Sequence, residues 1–302
     1  MKKLLNVSVG IPAYNEESNI KRLIVAILQQ SIPNAHLSEI IIVSDGSYDR
    51  TSSVVQSLGD GRIKLITNEQ RQGKALTLNR IIKEASGEVL VVLDGDILPE
   101  GKNFLKDISL PIYKNRKVGI VGAETISTNS MTFFEKVIAD SHKFKNQIYK
   151  KIDHGNNIFL CHGRALAFSR DLYTKMQLLN DYPTDAQSYL FCLQKGYEFR
   201  FEPRARVKFR SPMTLSDHIK QHQRFVRGKN KLKKLFPGDS VRKQYKIPKL
   251  YLLELLIKFF IHNPLTMIFY SSLTLCLILL TPTKNGYSSK WTIANTTKNI
   301  AS

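Results

Sequence analysis

The chain of 302 residues is short of cysteine, of acid and of the usual cofactor signatures. Its three cysteines, Cys161, Cys192 and Cys276, are widely spaced and cannot pair completely. A secreted disulfide scaffold is thereby excluded and a reducing compartment is expected. The 16 glycines and 11 prolines form no repeat or low-complexity tract, which rules out a collagen-like or chiefly disordered chain. A Walker loop, a Gly-x-Gly-x-x-Gly fingerprint and a serine nucleophile elbow are all missing, so dehydrogenase, kinase and hydrolase readings lose support. His218 and His222 stand four apart without an intervening glutamate or a nearby third ligand, which argues against a zinc helix. Met1 to Leu5 begins like a signal peptide, but Asn6 and the run Pro12 to Glu17 interrupt it. No secretory entry by the front end is expected.

What is abundant is positive charge, with 45 Lys+Arg against 25 Asp+Glu and a formal charge of +20. Such a balance implies nucleic acid, an anionic membrane surface or a phosphate-bearing substrate as partner. Between Lys195 and Lys249 there are 17 Lys/Arg against the four acids Glu198, Glu202, Asp217 and Asp239. This basic segment immediately precedes the most apolar one, Leu250 to Leu280, in which Pro264 to Leu280 is a run of 17 uncharged residues. That run is at the short limit for a membrane span. The break at His262-Asn263-Pro264 allows a single span or a helical hairpin. Because the tail carries Lys284, Lys290 and Lys298 and no acid, the hairpin is expected. Too few aromatics interleave the basic stretch for a nucleic-acid binder.

The first 125 residues alternate short apolar runs with amphipathic ones. Strands are expected at Val7 to Pro12, Glu39 to Val43, Ile63 to Thr67, Val89 to Leu93 and Val118 to Gly122. Helices are expected at Asn19 to Gln30, Asp49 to Leu58 and Lys74 to Ala85. Continuous apolar strands separated by helices predict an α/β fold with a mostly parallel sheet covered on both faces, and ligands at the strands' carboxyl ends. Beyond it the pattern predicts helices at Thr132 to Ile152, Asp185 to Lys195 and Leu215 to Leu235, and strands at Ala165 to Ser169, Glu198 to Glu202 and Arg206 to Phe209.

The loops at those ends carry the chemistry. Asp94-Gly95-Asp96 follows a buried run, and two such carboxylates need a counter-charge, which a hard divalent cation bridging to a diphosphate supplies. Asp45-Gly46-Ser47 offers either a carboxylate for a base or ribose, or a plain helix-start turn. Asn15-Glu16-Glu17 carries the same two readings. Arg71, Gly73 and Lys74 are either a phosphate contact or a helix start with solvated bases. Asp185 opens a helix, as a cap or as a general base. Gln221, Arg224 and Arg227 or Gly228 share one helical face, suited to a leaving diphosphate or to anionic lipid.

In their order, PAYNEE, SDGSYD, the Arg71-Gly73-Lys74-Ala75 turn with Asn79, DGD, Thr184-Asp185 and QHQRFVRG resemble a family 2 glycosyltransferase of the inverting, membrane-associated GT-A type, from Val7 to about Gly228. The resemblance implies a Rossmann-like catalytic domain over 1–235, with a nucleotide part over 1–125 and an acceptor part over 126–235. A basic linker, membrane-associated helices over about 250–281 and a short tail would follow in 236–302. It implies that Pro12, Tyr14, Glu16, Asp45, Lys74 and Asp94 bind the donor nucleotide, with uracil at Asp45. Asp96, assisted by Asp94, would hold Mg2+ or Mn2+, and Asp185 would be the general base. Gln221, Arg224, Phe225 and Arg227 would hold the diphosphate and the acceptor end. The partners implied are a nucleotide-sugar donor, a glycan or lipid-linked acceptor and membrane lipid, with no nucleic acid, the catalytic domain facing the cytoplasm. Ser44 stands where many members carry a further Asp, Thr184 where Glu is commoner, and Phe225 where processive synthases have Trp, which implies single-sugar transfer. The competing readings are a polyprenyl-phosphate glycosyltransferase, which needs no base, and an inactive basic binding module of the same fold.

Overall fold

The computed structural model describes residues 5–32, 35–128, 130–280 and 297–298. The chain begins β1 (Leu5–Ala13), α1 (Ile20–Leu28), β2 (Ala35–Asp45), α2 (Thr51–Gln56), β3 (Ile63–Asn68), α3 (Lys74–Glu84) and β4 (Val89–Leu93). These four strands pair in parallel in the order β3-β2-β1-β4. Successive side chains alternate between the sheet's faces, and here both faces are covered. Val89, Val91 and Leu93 join a core with α1 and α2, whereas Leu90 and Val92 join a second core with α3. This is why the strand reads as an unbroken apolar run.

The second half departs from a simple parallel sheet. β5 (Ile97–Pro99) and α4 (Phe104–Lys114) lead to β6 (Val118–Ser127) and α5 (Phe133–Tyr149); then come β7 (Ala165–Ser169), α6 (Arg170–Tyr173), α7 (Thr184–Gln194) and β8 (Glu198–Phe209). The full order is β3-β2-β1-β4-β7-β6-β8-β5, with β7 antiparallel to both β4 and β6, and β5 antiparallel to β8. Sequence patterning gives no element between Leu93 and Val118, partly because Pro111 lies inside α4 and reads as a breaker. The two strands expected at Glu198 to Glu202 and Arg206 to Phe209 are one strand. Its pairing jumps from Ala123–Glu202 to Glu124–Arg206, so Pro203 to Ala205 bulge out, where a proline costs no ladder hydrogen bond.

α5 starts at Thr132, whose hydroxyl accepts from the Glu135 amide at 3.1 Å. The Glu135 carboxylate, fully buried, pairs with Arg210 just beyond β8 at 3.1 Å, which ties the cap of α5 to the end of the sheet.

α8 (Leu215–Leu235), α9 (Gly238–Gln244), α10 (Lys249–His262) and α11 (Pro264–Leu280) complete the described elements. Pro264 opens α11, a position that needs no amide donor. Both α10 and α11 pack on α5, through Phe259 on Phe144 with ring centroids 4.4 Å apart and Phe269 on Phe133 at 5.5 Å. No helix among the described residues is long and apolar enough to cross a membrane. Lys284 and Lys290, on which the hairpin expectation rests in part, lie outside the described residues.

Candidate active site

Three loops at the carboxyl ends of β1, β2 and β3 are stitched together before any ligand is considered. The Asn15 amide donates to Ser47 Oγ at 3.1 Å, the Glu16 amide to Thr51 Oγ1 at 2.7 Å and the Glu17 amide to Asp49 Oδ2 at 3.1 Å. Gly46, at φ +68°, lies so close to the third loop that a Cβ would stand 2.5 Å from the Arg71 amide nitrogen, so both its backbone conformation and its contact demand glycine. Asp45 locks that loop. Its Oδ1 accepts from Asn68 Nδ2 at 3.0 Å and the Gln72 amide at 2.8 Å, and its Oδ2 from the Gly73 amide at 2.8 Å. The Arg71 guanidinium is thereby held 4.1 Å above the Tyr14 ring. Ser44 is occupied inside the turn, donating to Ser47 Oγ at 2.9 Å.

At the end of β4, Asp94 and Asp96 flank Gly95, where a Cβ would stand 2.7 Å from Glu16 Cγ. Glycine here lets the β1 loop close over the acidic turn. Lys74, the first residue of α3, donates to Asp94 and, at 3.3 Å, to the Gly163 carbonyl. Asp96 is pushed above the ordinary carboxylate range by desolvation and by the neighbouring Asp94, with Arg164, Lys298 and Lys74 pulling the other way. Glu16 rises to about 7 by burial and by Asp96, against the opposing pull of Lys298. Lys298 Nζ donates at 2.8 Å to both Glu16 Oε1 and the Asn15 carbonyl.

These groups line one end of a cavity of about 600 Å3, within the range of small-ligand sites. Asp185, at the start of α7, lines it too, with Gly163 and Arg164. The antiparallel pairing of β7 with β4 puts them there, because Leu93 pairs with Ala165 and the Asp94 amide donates to the Arg164 carbonyl at 2.9 Å. The Arg164 guanidinium lies 3.9 Å over the Phe209 ring and feels Asp96, Asp94 and Asp185 together. Also lining the cavity, Tyr149 and Phe159 stack at 4.5 Å, and Tyr245 meets both Phe159, at 5.7 Å, and Phe225, at 6.1 Å. Their apolar faces suit a sugar's C–H surface.

Of the residues singled out in the sequence, Pro12, Tyr14, Glu16, Asp45, Lys74, Asp94, Asp96, Asp185, Gln221, Arg224 and Phe225 all line this cavity. Arg227 is not among the residues that line it; at about 100° per residue it lies about 60° round α8 from Arg224 and about 180° from His218. Sequence reasoning missed Arg164, His142, His162, Lys145 and Lys298. Arg164 had one legible signal, its place directly before the strand Ala165 to Ser169, whereas the others come from elements whose docking only the fold determines.

No group of three or more His, Cys, Asp or Glu side chains among the described residues could hold a metal ion alone. Two carboxylates, one with its ionised form disfavoured by burial and by its neighbour, nevertheless fit a hard cation that draws its remaining ligands from a diphosphate and water.

A mostly parallel α/β sheet with a paired-aspartate turn, a carboxylate at a helix start and basic residues in one cleft defines a sugar-nucleotide-dependent transferase of GT-A fold. Comparison with known proteins gives the particular family. The sequence model of Glycosyl transferase family 2 matches residues 8–176, more than half the chain, and the protein belongs to that family. "Probable glycosyltransferase YdaM" of Bacillus subtilis is 28% identical over 241 residues, 76% of this chain and 56% of the relative. The Escherichia coli UDP-Glc:alpha-D-GlcNAc-diphosphoundecaprenol beta-1,3-glucosyltransferase WfgD is 32% identical over 149 residues, 49% of this chain and 57% of the relative. The matched region thus spans little more than half the length of these relatives. Among solved structures, the mannosyltransferase PcManGT from Pyrobaculum calidifontis, in complex with GDP-Man and Mn2+, superposes with a TM-score of 0.57 at 20% identity, over 91% of this chain and 76% of that one. That likeness is one of fold.

Proposed function

We propose that the protein transfers a single sugar from a UDP-linked donor, with inversion, to a hydroxyl of a glycan or lipid-linked acceptor at the cytoplasmic face of a membrane. The observation that carries this is the meeting of Asp94, Asp96 and Asp185 in one cavity with Lys74, Arg164 and Arg224. Tyr14 and Pro12 border the base and Asp45 accepts from its imide. A carboxylate offers about four acceptor sites, and three of those on Asp45 are filled by Asn68, Gln72 and Gly73. Glu16 and Asp94 face the ribose and diphosphate, and Lys74 holds Asp94 in place. Asp96, assisted by Asp94, would hold Mg2+ or Mn2+, which supplies positive charge to the departing diphosphate. Arg224 and Gln221 add donors for that diphosphate. Asp185 takes the proton of the attacking hydroxyl, and Phe225 gives the acceptor a ring face. Residues 1–235 form the catalytic part and 236–302 the membrane-associated part. The basic segment and the exposed apolar residues of α10 and α11 support docking on an anionic leaflet.

WfgD, named for a UDP-Glc donor and a diphosphoundecaprenol-linked acceptor, supports the UDP and lipid-linked elements of this reading. The test is incubation of the full chain in membranes with Mn2+ and a panel of nucleotide sugars. UDP release from at least one UDP-sugar is expected. Release from none of them, or equal release by Asp96→Asn, overturns the proposal.

A further inference from the structure

The same cavity holds a cluster that sugar transfer to a neutral hydroxyl does not require; His142 meets the Phe209 ring, over which Arg164 lies, at 5.0 Å. Lys145 of α5 reaches the cavity beside Tyr270 of α11, to whose hydroxyl it donates, with its Nζ 4.8 Å from the ring centroid. It has no carboxylate within ion-pair distance among the described residues. Around it stand His142, one turn earlier on α5, and His218 and His222 on the facing side of α8. Burial and the nearby cations hold all three imidazoles below their ordinary range. For His142 those cations are Arg164, Lys145 and Lys150, with His162 adding to the effect; for His218, which falls to about 4, and for His222, Lys145 is the chief one. The Nε2 atoms of His142 and His218 are buried and have no hydrogen-bond partner among the described residues. Buried polar nitrogens without partners, beside an ammonium that meets a phenol but no carboxylate among the described residues, are costly for a protein to keep. An anion that accepts from them removes that cost.

We propose that Lys145, with His142, His218 and His222, forms an anion subsite for a phosphate carried by the acceptor. The phosphate is the anchoring group and not the nucleophile, which remains a sugar hydroxyl at Asp185. The proposal rests on the reading of the Asp185 side as the acceptor side.

Calorimetric titration of the full chain, with UDP and Mn2+ present to fill the donor end, tests it with geranyl phosphate, geraniol and glucose 1-phosphate as probes. Geranyl phosphate is expected to bind one per chain and at least about tenfold more tightly than geraniol. Lys145→Ala is expected to remove that advantage and Lys145→Arg to keep most of it. Geranyl phosphate binding more tightly than glucose 1-phosphate assigns the subsite to a lipid-borne phosphate, and equal binding assigns it to a soluble one. Geraniol binding as well as geranyl phosphate, or Lys145→Ala weakening UDP as much as geranyl phosphate, would overturn the subsite itself. Failure of UDP to bind with Mn2+ counts against the donor reading alone, since the three probes are scored whether or not it binds.

Discussion

Asp45 clamps the loop after β3 and, in the proposed function, also receives the donor's base, and replacing it with asparagine tests both roles. The carboxylate accepts three hydrogen bonds from the β3 strand end and the loop after it, two on Oδ1 and one on Oδ2. A carboxamide has a single oxygen, so Asp45→Asn sets an NH2 against at least one N–H, the Gly73 amide if the oxygen keeps the Oδ1 side. Losing a hydrogen bond to a charged acceptor at a buried position costs about 1.5–3 kcal/mol. At about 2–4 °C per kcal/mol, the melting temperature should fall by about 3–12 °C. The loop it releases carries Arg71 on the Tyr14 ring, so UDP affinity in the presence of Mn2+ should fall about tenfold, about 1.4 kcal/mol. Scanning calorimetry reads the first effect and isothermal titration the second. An unchanged melting temperature together with unchanged UDP affinity would refute both the clamp and the base contact.

Three further outcomes are expected. Asp96→Asn removes a carboxylate held in an unfavourable ionisation environment, so the metal-free protein should melt no lower than wild type while the Mn2+-dependent part of UDP binding is lost; a lower melting temperature with metal dependence intact contradicts the assignment. Glu16 titrates near 7 in the folded state against a reference value of 4.5, so the native state holds the extra proton between these values and stability falls as pH rises from about 4.5 to 7. Glu16→Gln should therefore gain stability relative to wild type at pH 8 but not at pH 4, and parallel melting curves at both values would sink the idea. Arg210→Met leaves the Glu135 carboxylate buried without its guanidinium and should cost about 3–5 kcal/mol in denaturant unfolding, much of it regained when Glu135→Leu is added; equal loss in single and double variants argues against the pair.

The first half, β1 to β4, was legible in the sequence because it obeys local rules. Val89 to Leu93 was expected as a buried strand and is one, and Asp94-Gly95-Asp96 follows it in an acidic turn. Ala165 to Ser169 was equally legible as a strand, but nothing local says that it runs antiparallel beside β4. That pairing is what brings Arg164 next to Asp94. On α8 the helix bounds were expected as they are found, and Gln221, Arg224 and Phe225 line the cavity while Arg227 does not. His142 and Lys145 gave no signal at all, because a histidine and a lysine on an amphipathic helix look solvated until α8 and α11 close over them. The basic, apolar C-terminal region was legible as composition. Its helices α10 and α11 lie against α5, an arrangement that depends on Phe144, Phe259, Phe133 and Phe269 and that no periodicity encodes.

The central claim is that the cavity performs sugar transfer with Asp185 as the base, and Asp185→Asn tests it most directly. Asparagine keeps the shape of the α7 start, and its oxygen can still accept from the Ala186 amide, as Asp185 Oδ1 does at 2.8 Å. UDP affinity with Mn2+ should therefore be unchanged, while transfer to a hydroxyl acceptor falls by about 10²–10⁴-fold. Transfer at the wild-type rate by Asp185→Asn, with the donor bound as tightly as before, would contradict the account.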